Sequence, residues 1–338
     1  MQQRLTELWY APARPSLLQP LGWLYAQAMA ARRALYGSGL LRSVRPQIPV
    51  VIVGNLTVGG TGKTPLTLWL AAALTAQGRH VGIVSRGYGR HGRGVQAVSA
   101  AADWREVGDE PLLLARRSGC ATVVAQDRAA GVATLITRGA DLVVADDGLQ
   151  HLRLARDCEL VVVDGARGFG NGRVLPAGPL RESLAQLSRA DLVIVNGAAE
   201  HPSLSALPAG RTLTMQLGMG EAQRVDGQGG ARALKDFRGQ RVHAVAGIGN
   251  PGRFFAALRA QGLEPIEHPF PDHHPFSAQD LAFADDAVVL MTEKDAVKCA
   301  RFADARLWYV PVTAQFSAAD AQVLLQRVLA KIDSRTAA

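Results

Sequence analysis

Short runs of apolar and β-branched residues recur along the chain, each closing on polar or glycine-rich positions, with longer mixed segments between them. Runs of five or six residues that are apolar throughout predict strands covered on both faces. The first such strand ends at Gly54, and the "PLTLWLAAALTAQG" that follows predicts a helix stopping at Gly78. Further strands are expected at "HVGIVS" (80–85), "ATVVA" (121–125), "DLVVAD" (141–146), "ELVVVD" (159–164) and "DLVIVN" (191–196). Strand and helix alternate as in a doubly wound, mostly parallel α/β sheet, whose ligands bind at the carboxyl ends of the strands. Residues 218–240 are rich in glycine and charge and predict a linker. Beyond it, "RVHAVAG", a helix around 253–261, "DAVVLMT" and "RLWYVPV" predict a second, smaller α/β unit.

Between the first strand and its helix the chain reads "TVGGTGKT", residues 57–64. A helix start leaves backbone N–H groups unpaired and carries partial positive charge, so a phosphate chain is stabilised there. Gly59, Gly60 and Gly62 allow the backbone close to phosphate oxygens, with Thr57, Val58 and Thr61 completing the loop. Lys63 adds a charge, Thr64 a hydroxyl for Mg²⁺, and Pro65 suits a first helical turn. The pattern GxxxxGK[ST] asks for glycine where Thr57 stands, so the match is one residue short, with Gly59 and Gly60 as compensation. The strand "DLVVADDGLQH" ends in Asp146 and Asp147, where P-loop enzymes keep the acid that holds Mg²⁺ beside the phosphates. Adjacent acids there are costly without a cation, so ATP and Mg²⁺ are the expected cofactors. His151, taken alone, reads as a helix-start or packing histidine.

Composition narrows the class. With 338 residues, 48% hydrophobic and 20% charged, the chain is long enough for two α/β domains. Cys120, Cys158 and Cys299 are far apart and odd in number, which suggests neither disulfides nor a CxxC metal site and fits a reducing cytoplasm. The net charge of +8 is concentrated before residue 49, where six arginines (4, 14, 32, 33, 42 and 45) face one acid, Glu7. The apolar stretch 21–31 there, flanked by Trp9, Tyr10, Leu17 and Leu18 and by Arg32 and Arg33, is too short for the about 20 residues a bilayer requires. A signal peptide is not expected, because export would strand the nucleotide loop where ATP is absent. Two readings of the segment remain: a helix in a membrane interface with arginines on anionic headgroups, or a helix packed on the protein's own core. Neither a lysine-rich stripe nor an RNA-binding signature supports nucleic acid as a partner.

In order along the chain, "GNLTVGGTGKTP", "SRGYGR", "VGDEPLLLA", "DDGLQH", "NGRVLPAGPLRES", "AGIGNPGRFF", "FPDHHPF" and "TEKDAVK" resemble the tetraacyldisaccharide 4'-kinases, the lipid A disaccharide kinases of Gram-negative bacteria. These blocks run from residue 54 to 298. The resemblance implies a P-loop NTPase-type α/β fold with a second, smaller α/β domain closing on the active site and an N-terminal membrane-surface helix. It implies ATP- and Mg²⁺-dependent phosphorylation of a sugar hydroxyl on an acylated glucosamine disaccharide 1-phosphate, forming lipid IVA at the cytoplasmic face of the inner membrane. The expected organisation is a basic, membrane-associating segment (1–48), the kinase domain (49–217), the linker (218–240) and the smaller domain (241–338). No obligate protein partner is expected.

By the same resemblance, Asp109 of the "GDE" block is the base, and His273 of "PDHHPF" orients or tunes it from the second domain, alongside Lys63. A plain alternative makes Asp109 a helix N-cap. Tyr88, Arg90, His151 and Arg181 are expected along the substrate cleft, with Arg90 or Arg181 facing phosphate, and Glu182 is expected to help the metal held by Thr64, Asp146 and Asp147. Gly252 stands where the family would have a larger, often acidic residue, and it completes a GxGxxG spacing with Gly247 and Gly249 that carries little weight alone. His268, Asp272, His273 and His274 lack a cysteine or a second spaced histidine pair, so zinc is not expected. The rival class is a P-loop GTPase or metal-delivery switch, but "TEKD" has the letters of the guanine-reading [NT]KxD in the wrong order.

Overall fold

The computed structural model describes residues 8–11 and 16–336. In chain order, the first half comprises α1 (Gln19–Gly37), β1 (Val50–Gly54), α2 (Lys63–Ala76), β2 (Val81–Ser85), β3 (Gln96–Val98), α3 (Trp104–Val107), α4 (Asp109–Ser118), β4 (Ala121–Val124), α5 (Arg128–Thr137) and β5 (Leu142–Asp146). Next come β6 (Cys158–Asp164), β7 (Leu192–Asn196), β8 (Thr212–Met219), β9 (Gln223–Arg224), β10 (Val242–Ala246), α6 (Pro251–Ala260) and β11 (Ile266–Pro269). The chain finishes with β12 (Val288–Thr292), α7 (Glu293–Cys299), β13 (Leu307–Val310), β14 (Val312–Gln315) and α8 (Ala318–Thr336).

A nine-stranded sheet runs β14-β8-β7-β6-β1-β5-β2-β4-β3, parallel except at its two edge strands. β1 is buried at every position between β5 and β6, as an unbroken apolar run requires. Alternate residues feed the two faces: Val51 and Val53 meet Leu66, Leu70 and Leu74 of α2, while Val50 and Ile52 meet Val143, Leu154 and Val161. Because β1, β2, β5, β6 and β7 are parallel, their carboxyl ends, at Gly54, Ser85, Asp146, Asp164 and Asn196, lie along one edge. A five-stranded sheet, β11-β10-β12-β13-β9, forms the second unit with its own apolar core around Phe237, Phe254, Phe255 and Leu290.

The structure redraws the expected boundaries. "RLWYVPV" is two strands, because Pro311 has no N–H to give a ladder. β13 stays in the small sheet, while β14 pairs antiparallel with β8 at the edge of the large one. α8 then sends Leu324, Val328 and Ile332 into the large sheet's core. The second unit is therefore an insertion between β8 and β14, and not everything from 241 onward. Nor is 218–240 a bare linker: β9 pairs with β13, and Leu234 and Phe237 fill the small core.

Among the described residues, no helix is long and apolar enough to cross a membrane. α1 covers the stretch 21–31 and lies against the large unit, with Gly22 so close that an added Cβ would sit 3.2 Å from both Ala177 Cβ and Val174 O. Arg32 donates to Gln150 O (3.0 Å) and Arg33 pairs with the Glu182 carboxylate. These two arginines thus have partners within the protein itself, Gln150 and Glu182. Leu21, Trp23 and Leu24 face outward at 54%, 66% and 60% exposure.

Candidate active site

The loop leaving β1 is held open by its own polar framework. Asn55 Nδ2 donates to Thr57 O (2.7 Å) and Gly59 O (3.3 Å), Val58 N donates to Pro179 O (2.8 Å), and Arg167 Nη2 donates to Gly60 O (2.7 Å). Gly59 and Gly62 have φ of 96° and 101°. At Gly62 a Cβ would lie 2.5 Å from Asn196 Nδ2, whose amide donates to Thr61 O (2.8 Å). Backbone freedom and close approach are thus both used here, as a phosphate cradle demands. Lys63 opens α2, donates to Asn55 Oδ1 (3.1 Å) and stands 3.8 Å from Asp147 Oδ1. Residues 58–64 line a cleft of roughly 1910 Å³, together with Tyr88, Asp147, Arg181 and His273.

The two acids after β5 differ sharply. Asp146 is buried and accepts one side-chain hydrogen bond, from Thr67 Oγ1 (3.3 Å). Burial above all, with the charges of Glu110 and Asp147, pushes its carboxyl up to about 7 against the pull of Lys63. Asp147 adopts φ 49° and receives Arg181 Nη1 on both oxygens (2.8 and 2.9 Å). Burial would raise it too, but Lys63 and Arg181 prevail and hold it near 2. Among the described residues, Asp147 and His273 (φ 60°) are the non-glycine positions with positive φ, and both line the cleft. Glu182, expected to help the metal, does not line the cleft: its buried carboxylate is taken by Arg33.

Across the cleft, Asp109 and His273 meet. Gly108 occupies the cap of α4, so Asp109 is its first residue and not its N-cap. His273 Nδ1, from the second unit, lies 3.1 and 3.0 Å from the two Asp109 oxygens. Burial alone would raise the Asp109 carboxyl; Lys294, His273 and Lys298 outweigh it and hold the group far below the usual carboxylate range. For His273 burial works downward, but the Asp109 hydrogen bond and charge win and raise its pKa. Lys294 Nζ ties the units further, bonding Glu110 Oε1 (2.9 Å) and Asp272 Oδ1 (3.1 Å). His273 lines the cleft, with the Tyr88 ring 4.9 Å from it, whereas Asp109 lies beneath.

Two expected cleft residues sit elsewhere. His151 Nε2 accepts from Arg128 N (3.3 Å) at the start of α5, and burial, then Arg128, lower its pKa to about 4. Arg90 donates to Gly94 O and does not line the cleft. The GxGxxG-like segment is the loop from β10 to α6, and it presses on the P-loop: a Cβ at Gly249 would lie 2.6 Å from Gly60 N. Among the described residues no cluster of three or more His, Cys, Asp or Glu could hold a metal by itself. Sequence reasoning missed Asn55 and Asn196, each a lone amide at a strand's carboxyl end, and Arg167 and Arg253, which share the buried Asp164 (3.2 and 2.9 Å) from opposite units.

A glycine cradle opening a helix beside two strand-end aspartates, with an acid–histidine pair facing it, defines a P-loop phosphotransferase. The family model for tetraacyldisaccharide-1-P 4'-kinase matches residues 14–332. Tetraacyldisaccharide 4'-kinases of Alkalilimnicola ehrlichii and Aromatoleum aromaticum are each 50% identical, covering 96% and 92% of this chain and 95% and 93% of their own. The crystal structure of the "apo" form of LpxK from Aquifex aeolicus in complex with ATP covers 93% of this chain and 98% of its own at 28% identity, with a TM-score of 0.79. The chain belongs to the tetraacyldisaccharide 4'-kinase family. Membership sets aside the GTPase or metal-delivery alternative.

Proposed function

We propose that this chain transfers the γ-phosphoryl group of ATP to the 4'-hydroxyl of a tetraacylated glucosamine disaccharide 1-phosphate, forming lipid IVA in lipid A biosynthesis. The single observation that carries the chemistry is the apposition, in one cleft, of the P-loop from one unit and His273 from the other, with Asp109 bonded behind it. Lys63 and the N–H groups of residues 57–64 bind and orient the phosphates. Asp109 accepts the proton of the sugar hydroxyl, and His273 holds its two oxygens and stabilises its charge. A second assignment, with His273 as direct acceptor and Asp109 orienting it, is favoured by one fact: His273 lines the cleft and Asp109 does not.

Mg²⁺ suits the residues present. Asp146 is a buried carboxylate with one hydrogen bond and a raised pKa, so the pull of Lys63 leaves its ionised form short of compensating positive charge. Thr64, Asp146 and Asp147 would hold the ion, which when bound neutralises charge on the phosphates. Arg181 keeps Asp147 ionised and oriented. Tyr88 and Arg181 line the path for the lipid sugar. The outward apolar residues of α1, Leu21, Trp23 and Leu24, support peripheral binding to the cytoplasmic face of the bacterial inner membrane, where the acylated substrate resides.

The test uses labelled ATP and a purified acylated glucosamine disaccharide 1-phosphate, scored for transfer to the distal sugar. Asp109→Asn should slow turnover at least about 100-fold while ATP affinity is retained. Normal turnover by that variant would remove Asp109 from the chemistry.

A further inference from the structure

α7 lies on α4, with Val297 packed among Val107, Leu112, Leu113 and Val124. Lys294 and Lys298, four residues apart, project from one face of α7 toward the first turn of α4. Lys294 is absorbed by Glu110 and Asp272. Lys298 is the unusual one. Its side chain is 0% exposed, its ammonium lies 2.7 Å from Asp295 Oδ1 and 3.7 Å from Asp109 Oδ2, and the Phe276 ring centroid is 5.1 Å away. Neither the ammonium nor Asp295 Oδ1 makes an aligned hydrogen bond.

A fully buried ion pair is costly and adds little stability over well-packed apolar residues, so its presence calls for another reason. The third member supplies one. Asp295 is already anchored through Oδ2, which accepts from Thr292 Oγ1 (2.6 Å) and Gly247 N (2.9 Å), and Gly247 O accepts from His273 N (3.2 Å). Lys298 therefore faces the Asp109 carboxylate at ion-pair distance and reaches the backbone of His273 through Asp295 and Gly247. Resting on the function proposed above, we infer that Lys298 is a positioning residue: it fixes the Asp109 carboxylate against His273 from the side away from the cleft. The cationic partners of Asp109 named above, Lys294, Lys298 and His273, all belong to the second unit, so this arrangement holds while α7 rests on α4. The charged and titratable groups facing the pair are Lys298, Lys294 and Asp272 from the second unit, Glu110 from α4 and Tyr88 from the loop after β2, with Asp295 behind Lys298.

The experiment is Lys298→Met in the full chain, assayed with Mg·ATP and the acylated disaccharide across a range of pH. Turnover should fall about tenfold or more with both KM values nearly unchanged. The acidic limb of the kcat/KM profile should move to higher pH, because removing a cation makes Asp109 and His273 easier to protonate. Lys298→Arg should bring the limb back. A purely structural lysine predicts reduced turnover with the limb unmoved, and that result overturns the inference. Should Lys298→Met fail to fold, Asp295→Asn/Lys298→Met removes both buried charges together and is read by the same limb. Asp109→Asn, run in parallel, separates the cases: a normal Asp109→Asn refutes the proposed base, whereas an inactive one beside an unmoved Lys298→Met limb refutes only the role of Lys298.

Discussion

Gly249→Ala tests how tightly the two units must meet. An added Cβ would lie 2.6 Å from Gly60 N and 3.1 Å from Gly59 Cα, both backbone atoms. The P-loop cannot yield easily, since Arg167 holds Gly60 O and Asn55 holds Gly59 O. The loop carrying Gly249 must retreat instead, and Gly247 O, bonded to His273 N, moves with it. Relieving such overpacking costs about 1–3 kcal/mol. Spent as lost alignment in the transition state, that is roughly 5- to 150-fold in kcat/KM, the range expected for a displacement of about 1 Å. Gly252→Ala is the matched control, because its nearest neighbour would be Asn250 Oδ1 at 3.9 Å. The assay is steady-state phosphoryl transfer for both variants, with thermal unfolding to confirm that each is folded. Equal kcat/KM values for the two would refute a close seating of this loop on the P-loop.

Two further outcomes are expected. His151 is half-buried and held neutral, its pKa lowered to about 4 from 6.5, so protons bind the unfolded chain first. The stability it contributes is complete above about 6.5 and is lost as pH falls toward 4, and His151→Gln should flatten the unfolding midpoint over that window; an unchanged slope would exclude His151 as the cause. Trp23→Asp/Leu24→Asp should weaken sedimentation with vesicles of anionic phospholipid at least about tenfold, given the apolar area each side chain exposes, while transfer to detergent-dispersed substrate stays normal. Undiminished vesicle binding would take the outer face of α1 out of membrane contact.

Elements with unbroken apolar runs or a defined chemistry were legible. β1, β2, β4, β5, β6, β7 and the helix opening at Lys63 lie within a residue or two of where the pattern puts them. β8 and β11 were not foreseen, because half-exposed strands such as β8 mix polar and apolar positions and lack an unbroken apolar run. The return of β14 to the large sheet depends on pairing with a strand about a hundred residues earlier, which no local pattern encodes. At the site, residue types adjacent in sequence were readable: the loop, Lys63, Asp146 and Asp147. The meeting of Asp109 with His273 entered through family resemblance, since the two are 164 positions apart. The pairing of Glu182 with Arg33 was not legible either, since that arginine sits on a helix 149 positions away.

Because the second unit is spliced into the first, the phosphate-binding unit is completed only by segments that follow the insertion. Its edge strand β14 and the core-filling leucine, valine and isoleucine of α8 are made after the inserted unit. During synthesis, β1 and its loop must wait for roughly 260 further residues before their sheet is complete, while the inserted unit can fold first. A chain cut short near Val310 would keep every residue proposed here for chemistry and still lack the wall that shelters Leu66 and Leu70.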